Sequence, residues 1–205
     1  MELAVNAGPR GGRPAEVERL SERPGHPAHE EKTARIGMAV FLGSWAMLFV
    51  ALFFSYGIVR ARTPLWPPLD QPRLPLLLPG LNTAVIGASS AAMVMAERFP
   101  GLRRRAVALT SAAALGAVFL TLQALVWTRL WREGLVPSGG PYPSVFYALT
   151  VFHALHVLVG LAALATLAVR AARGRASWIA VRLWGMYWHF VGVVWLALYV
   201  AVYVA

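Results

Sequence analysis

Three histidines sit inside long apolar runs of this 205-residue chain, and they are its first candidates for chemistry: His153, His156 and His189. The chain has no cysteine, which removes thiol nucleophiles, disulfides, zinc ribbons and iron–sulfur ligation together, so any bound metal would depend on imidazole. On a helix His153 and His156 lie about 60° apart, on a face shared with Gly160 and Ala163, whereas His189 shares a face with Gly185, Gly192 and Leu196. If the two helices enter a membrane from opposite sides near Ser144 and Ser177, His156 and His189 each lie about 18 Å from opposite surfaces, close to the midplane of a core about 30 Å thick. Two imidazoles meeting there could hold a haem between helices. The other reading is a histidine hydrogen-bonded to a neighbouring helix for packing, and the small residues beside each histidine favour it, because a haem needs lateral room.

The remaining polar groups at depth are Asn82, Gln123 and several hydroxyls. No Asp, Glu, Lys or Arg lies in the apolar runs away from their ends, and a pump or channel normally lines its path with such groups, so the chain alone is a poor transporter. Trp184, Trp188, Trp195 and Tyr199 form an aromatic stripe at helical spacing, about 100° from the His189 face. That stripe suits contact with lipid or another subunit, or an ordinary packed surface, and periodicity alone does not separate these. Gly87, Ser89, Ser90 and Ala91 mark a second place where helices can approach closely.

The elements that must position these residues are membrane helices. The composition is 58% hydrophobic and 14% charged, against about 45 to 50% and about 25% in soluble domains, which excludes a soluble globule. Ile36 to Val59 is an uncharged run of 24 residues, about 36 Å as a helix, enough to cross a core of about 30 Å with some tilt. Residues 74–96, 106–128, 144–169 and 177–204 supply four further spans, giving an all-α, polytopic bundle of five transmembrane helices. The second is entered through a loop containing Pro64, Pro67, Pro68, Pro72 and Pro75, which cannot be helical throughout. Short connections predict sequential antiparallel packing. Residues 1–35, rich in Gly, Pro and Arg, read as a disordered cytoplasmic tail without the apolar stretch of a signal peptide.

The net charge of +10 raises the question of nucleic acid, and the placement of the charges answers it. Of the 19 Lys and Arg, 14 fall in the tail, the second-to-third connection (Arg98, Arg103, Arg104, Arg105) and the fourth-to-fifth (Arg170, Arg173, Arg175, Arg182). The other side holds five: Arg60, Arg62, Arg73, Arg129 and Arg132. Basic loops resist translocation, so the amino terminus is expected in the cytoplasm and the carboxyl terminus outside a bacterial-type plasma membrane, and nucleic acid is not an expected partner.

Three segments carry a resemblance. YWHFVGVVWLALYVAVY, Tyr187 to Tyr203, resembles the last helix of the cytochrome c oxidase subunit III family, in which a Tyr-Trp-His-Phe-Val-Asp-Val-Val-Trp pattern is characteristic. LTVFHALHVLVG, Leu149 to Gly160, is similar to that family's Thr-Gly-Phe-His-Gly-Leu-His pattern, and LNTAVIGASS, Leu81 to Ser90, to its Leu-Asn-Thr segment ending in Ser-Ser. The three occur in the family's order. The resemblance covers about Arg35 to the end and is to the shorter, five-helix form, without the first two helices of the seven-helix form. It implies a chain with no catalytic, haem or copper site of its own, which flanks the haem-copper catalytic subunit I beside subunit II and further small subunits. It also implies bound phospholipid, support of proton uptake, and cytochrome c as electron donor to the complex. On that reading the histidines, the aromatic stripe, Asn82 and Gln123 are packing, subunit or lipid contacts. The sequence departs from the family at three places where acids are common: Trp45 follows Ser44, Val126 precedes Trp127, and Gly192 stands in the last-helix motif. A subunit III-like accessory protein of a nitric oxide reductase shares this architecture, and an independent carrier with a haem b held by His156 and His189 is the alternative from another class.

The charge asymmetry predicts which face of the membrane each loop occupies. Arg104→Cys and Arg173→Cys should react with a membrane-impermeant maleimide only from the cytoplasmic face, and Arg62→Cys and Arg132→Cys only from outside. Labelling of both 104 and 173 from outside would invert the topology.

Overall fold

A computed structural model describes residues 27–66, 68, 72 and 74–204. Most of the tail, and with it Pro67 and Arg73 of the proline-rich connection, lies outside the described residues. Among the described residues five helices are long and apolar enough to cross a membrane. They are α1 (Pro27–Arg62), α2 (Leu77–Arg98), α3 (Leu102–Arg132), α4 (Pro141–Ala172) and α5 (Trp178–Leu198), the last continued by a π-helical turn, Tyr199–Val204.

α1 begins earlier than the apolar run does. Its first turns take in Glu30 and Lys32, residues assigned by sequence to the tail, and Arg60 and Arg62 close it at the end where cations suit the helix dipole. At 36 residues it reaches about 54 Å, well beyond a hydrocarbon core of about 30 Å. The overhang is tied down, since Arg182 Nη1 at the start of α5 lies 3.2 Å from Glu31 Oε1.

Sequential antiparallel packing holds for α2 with α3, α3 with α4 and α4 with α5. α1 departs from it: its main contacts are with α4 and α5. The connection from Thr63 to Leu76 is long enough to let α1 leave its neighbour in sequence, where the three-residue turn Phe99–Gly101 holds α2 against α3. Arg105 closes that turn, donating from Nη2 to the Phe99 carbonyl at 3.0 Å and lying over the Trp178 ring at 4.7 Å. The two later connections turn through Gly134, Gly140 and Gly174, whose φ angles of 92°, 124° and 70° are ones a side chain resists.

The core centres on Trp188, which is wholly buried. Gly116 of α3 and Gly160 of α4 leave the space for its ring, and a side-chain carbon would lie 2.7 Å from Trp188 Cη2 at Gly116 and 2.8 Å from Cε3 at Gly160. Gly160→Val should therefore overpack the bundle and lower its stability by about 1 to 3 kcal/mol. The shift is to be read as the denaturation midpoint in detergent, and an unchanged midpoint would mean that the ring can move aside.

Candidate functional site

The chemistry-bearing residues are held by different helices and lead to different neighbours. Leu149, Thr150, His153, Val157 and Leu164 of α4 are all fully or almost fully buried, which turns one face of this strongly apolar helix into the bundle. His153 on that face meets the rings of Phe119 at 5.9 Å, Trp195 at 5.5 Å and Phe49 at 6.4 Å. His156, one turn on, looks toward α1: Nδ1–H donates to the Phe152 carbonyl at 2.6 Å, while Trp45 lies edge-on at 4.2 Å and Phe49 at 5.1 Å. An apolar cleft of about 220 Å³ opens beside it, lined by Phe41, Trp45, Leu155, Val159, Trp184 and Tyr187.

His189 belongs to a third setting. Its Nδ1 is 3.4 Å from Ser90 Oγ on α2, and its Nε2 is 3.9 Å from Glu97 Oε1. His156 and His189 are turned to different neighbours by the rotation of α5. Tyr187 faces α4 and donates its hydroxyl proton to the His156 carbonyl at 3.0 Å. His189, two residues on, is turned about 200° around the helix and faces α2. The two imidazoles therefore lie against different helices, His156 against α1 and His189 against α2. Among the described residues no three His, Cys, Asp or Glu side chains converge into a group that could hold a metal ion.

The aromatic stripe turns inward over much of its length. Trp188 and Trp195 are fully buried, and each indole N–H finds a hydroxyl on α2: Trp188 Nε1 donates to Ser89 Oγ at 3.1 Å and Trp195 Nε1 to Thr83 Oγ1 at 3.0 Å. Ser89 passes its own proton to the Ala112 carbonyl of α3 at 2.7 Å, so three helices are joined through one hydroxyl. Trp184 remains half-buried on the α4 side, 5.4 Å from Tyr187, and the Tyr199 hydroxyl rests over Gly80. Asn82 Nδ2 donates to Gln123 Oε1 at 3.4 Å, a buried contact between α2 and α3. A further indole, Trp127, donates to Thr150 Oγ1 at 3.2 Å.

Sequence reasoning missed Glu97. Ending the second span at Ala96 left this carboxylate outside it, whereas α2 continues to Arg98 and turns Glu97 onto Gly185 of α5, filling the place a side chain there would occupy. The signal available was Gly185 itself, four residues before His189 on the same face. At the three positions noted for absent acids, Trp45 packs on His156, Val126 is fully buried, and Gly192 lies beside Ser90.

These contacts define an all-α polytopic membrane protein whose buried hydroxyl, amide and indole groups join one helix to the next. The chain belongs to the cytochrome c oxidase subunit III family, whose model matches residues 20–205. It is similar to cytochrome c oxidase subunit 3 of Synechocystis sp., with 35% identity over 89% of this chain and 79% of that protein. It is likewise similar to the subunit 3 proteins of Latimeria chalumnae, 35% identical, and Squalus acanthias, 34% identical, over 87% of this chain and 72% of each.

Ser89→Ala removes a group that bonds in two directions and leaves the Trp188 indole without an acceptor. It should cost about 1 to 3 kcal/mol, the penalty of a buried unsatisfied donor, measured as unfolding free energy in mixed micelles. Ser90→Ala, at the half-buried neighbouring position, should cost less, and equal losses would show that Ser89 is no special joint.

Proposed function

We propose that this chain acts as a non-catalytic integral subunit of a respiratory haem-copper oxidase that passes electrons from cytochrome c to oxygen. Haems and copper belong to the partner subunits I and II, where oxygen is reduced, and this chain supports subunit I from the side. The observation that carries the reading is the use of polar side chains at depth: Asn82, Ser89, Gln123, Thr150, Trp188 and Trp195 bond across helix pairs. Groups committed to such bonds hold a shape. The amino terminus lies in the cytoplasm and the carboxyl terminus outside.

Bound phospholipid is part of the proposal. Between α2 and α3 a groove of about 560 Å³ has Ala92, Met95, Val107 and Ala108 along its length and Arg103 and Arg104 at the basic end. Acyl chains suit the first set and an anionic headgroup the second. A lipid-lined flank beside subunit I would support proton uptake indirectly, since Trp45, Val126 and Gly192 offer no acid to relay a proton.

The test is to strip or delete the chain, then record haem and metal content beside the progress curve of oxygen consumption. The remaining oxidase should keep its haems, its copper and its first turnovers, and lose activity over repeated turnover, while the stripped chain shows no Soret band. Loss of the first turnovers from a fully metallated complex would give this chain a direct catalytic part. Non-haem iron in place of copper in the intact complex would point to the nitric oxide reductase assembly.

A further inference from the structure

On the wall between α2 and α5 two ionisable groups stay partly exposed. His189 keeps 34% of its side chain exposed and Glu97 26%, and at 3.9 Å their approach is longer than a hydrogen bond. The contact of His189 with Ser90 Oγ is also long, at 3.4 Å. From His189 a groove of about 280 Å³ continues along the wall, lined by Thr83, Gly87, Ser90, Gly192, Val193 and Leu196. Gly87 and Gly192 remove side chains from its floor, and Val193 and Leu196, 66% and 51% exposed, form its rim.

Two properties of this wall suit protein better than lipid. Acyl chains carry no donor or acceptor, so an imidazole and a carboxylate pressed against them stay unsatisfied, which is costly in hydrocarbon. Glycines on two neighbouring helices let the backbone of a third come close, the packing by which membrane helices associate. The carboxylate also sets the sign of the missing partner: it asks for a hydrogen-bond donor or a cation, and it repels the anionic headgroups that Arg103 and Arg104 attract on the other side of α2. A second copy of this chain would bring another carboxylate to the contact.

We infer that the α2–α5 groove is the docking surface for a transmembrane helix of a partner oxidase subunit, one that presents a hydroxyl, amide or basic side chain to Glu97 and His189. The inference rests on the proposed assembly and adds the face through which it occurs and the chemistry of the contact. Val193 points out of the bundle, so Val193→Trp should obstruct the groove without entering the core. Glu97→Gln keeps the shape and removes the charge.

The experiment uses the complex purified from native membranes. With Val193→Trp, the amount of this chain retained on the oxidase should fall about tenfold while its level in the membrane and its melting temperature stay unchanged, and Glu97→Gln should give a smaller loss in the same direction. A photoreactive benzoylphenylalanine in place of Val193 should form its adduct with a transmembrane peptide of another oxidase subunit. Full retention of Val193→Trp, or adducts confined to lipid or to a second copy, would overturn the inference. If the unaltered chain brings down no oxidase subunit, the assembly reading fails first; if it does so while the Val193 adducts are with lipid alone, only the groove assignment fails.

Discussion

The bundle depends on the seating of one large ring. Trp188 projects from α5 into space made by Gly116 and Gly160, and its single polar atom is met by Ser89, so one side chain is in contact with α2, α3 and α4 at once. In a bilayer no hydrophobic force distinguishes a helix neighbour from a lipid tail, and association rests on close fit and on polar groups that lipid cannot satisfy. Trp188 supplies both. Its ring fills a volume that only glycine leaves open, and its N–H makes the Ser89 hydroxyl an acceptor while that hydroxyl donates to the Ala112 carbonyl.

The same logic is repeated nearer the carboxyl end of α5. Trp195 bonds to Thr83 of α2, and its ring packs on Phe119 of α3 at 4.8 Å and beside His153 of α4 at 5.5 Å. Two indoles, seven residues apart and so nearly in line on one helix face, thus clamp α5 to the other helices at two levels. Beyond them the chain loosens into the π-helical turn, where Tyr199 and Tyr203 stack at 6.0 Å. α1 lies outside this clamp. It reaches the bundle through Trp45 and Phe49 on His156, and Tyr56 on Trp66, and most of its outer face, including Val40, Met47 and Phe54, remains exposed.

The number of the spans was legible in the sequence because length and hydropathy report directly on a hydrocarbon core of about 30 Å. Which small residues share a face with each histidine was legible for a similar reason, since spacing fixes the side of a helix on which residues lie. Rotation between helices was not. Depth alone placed His156 and His189 at the same level, but which way each ring turns depends on the neighbours that capture Tyr187, Trp188 and Ser90, and a single sequence does not display those pairings. The aromatic stripe had the same ambiguity: four rings in a row suit a lipid face equally well, until Gly116 and Gly160 are seen from two other helices to leave the hole that Trp188 fills. The partner of α1 escaped for a different reason, because a long proline-rich connection carries little information about where the next helix must stand.

The three positions that lack the acids common in the resembling family show how one substitution pattern can have one physical origin. Trp45 covers His156 with a ring, Val126 is sealed in the core, and Gly192 has Ser90 Oγ within 3.2 Å of where a side chain would start. A carboxylate at 126 would have to be buried among aromatic or aliphatic side chains, where an unpaired charge costs several kcal/mol or more. Glu97 lies one residue before Arg98, at the end of α2, from which its carboxylate reaches over Gly185 toward His189 and keeps part of its surface open to a partner. The acid has in effect a place at the edge of the bundle and none at its centre. What the chain keeps at the centre are hydroxyls, amides and indoles that bond between helices, and the His153 imidazole packed among aromatic rings.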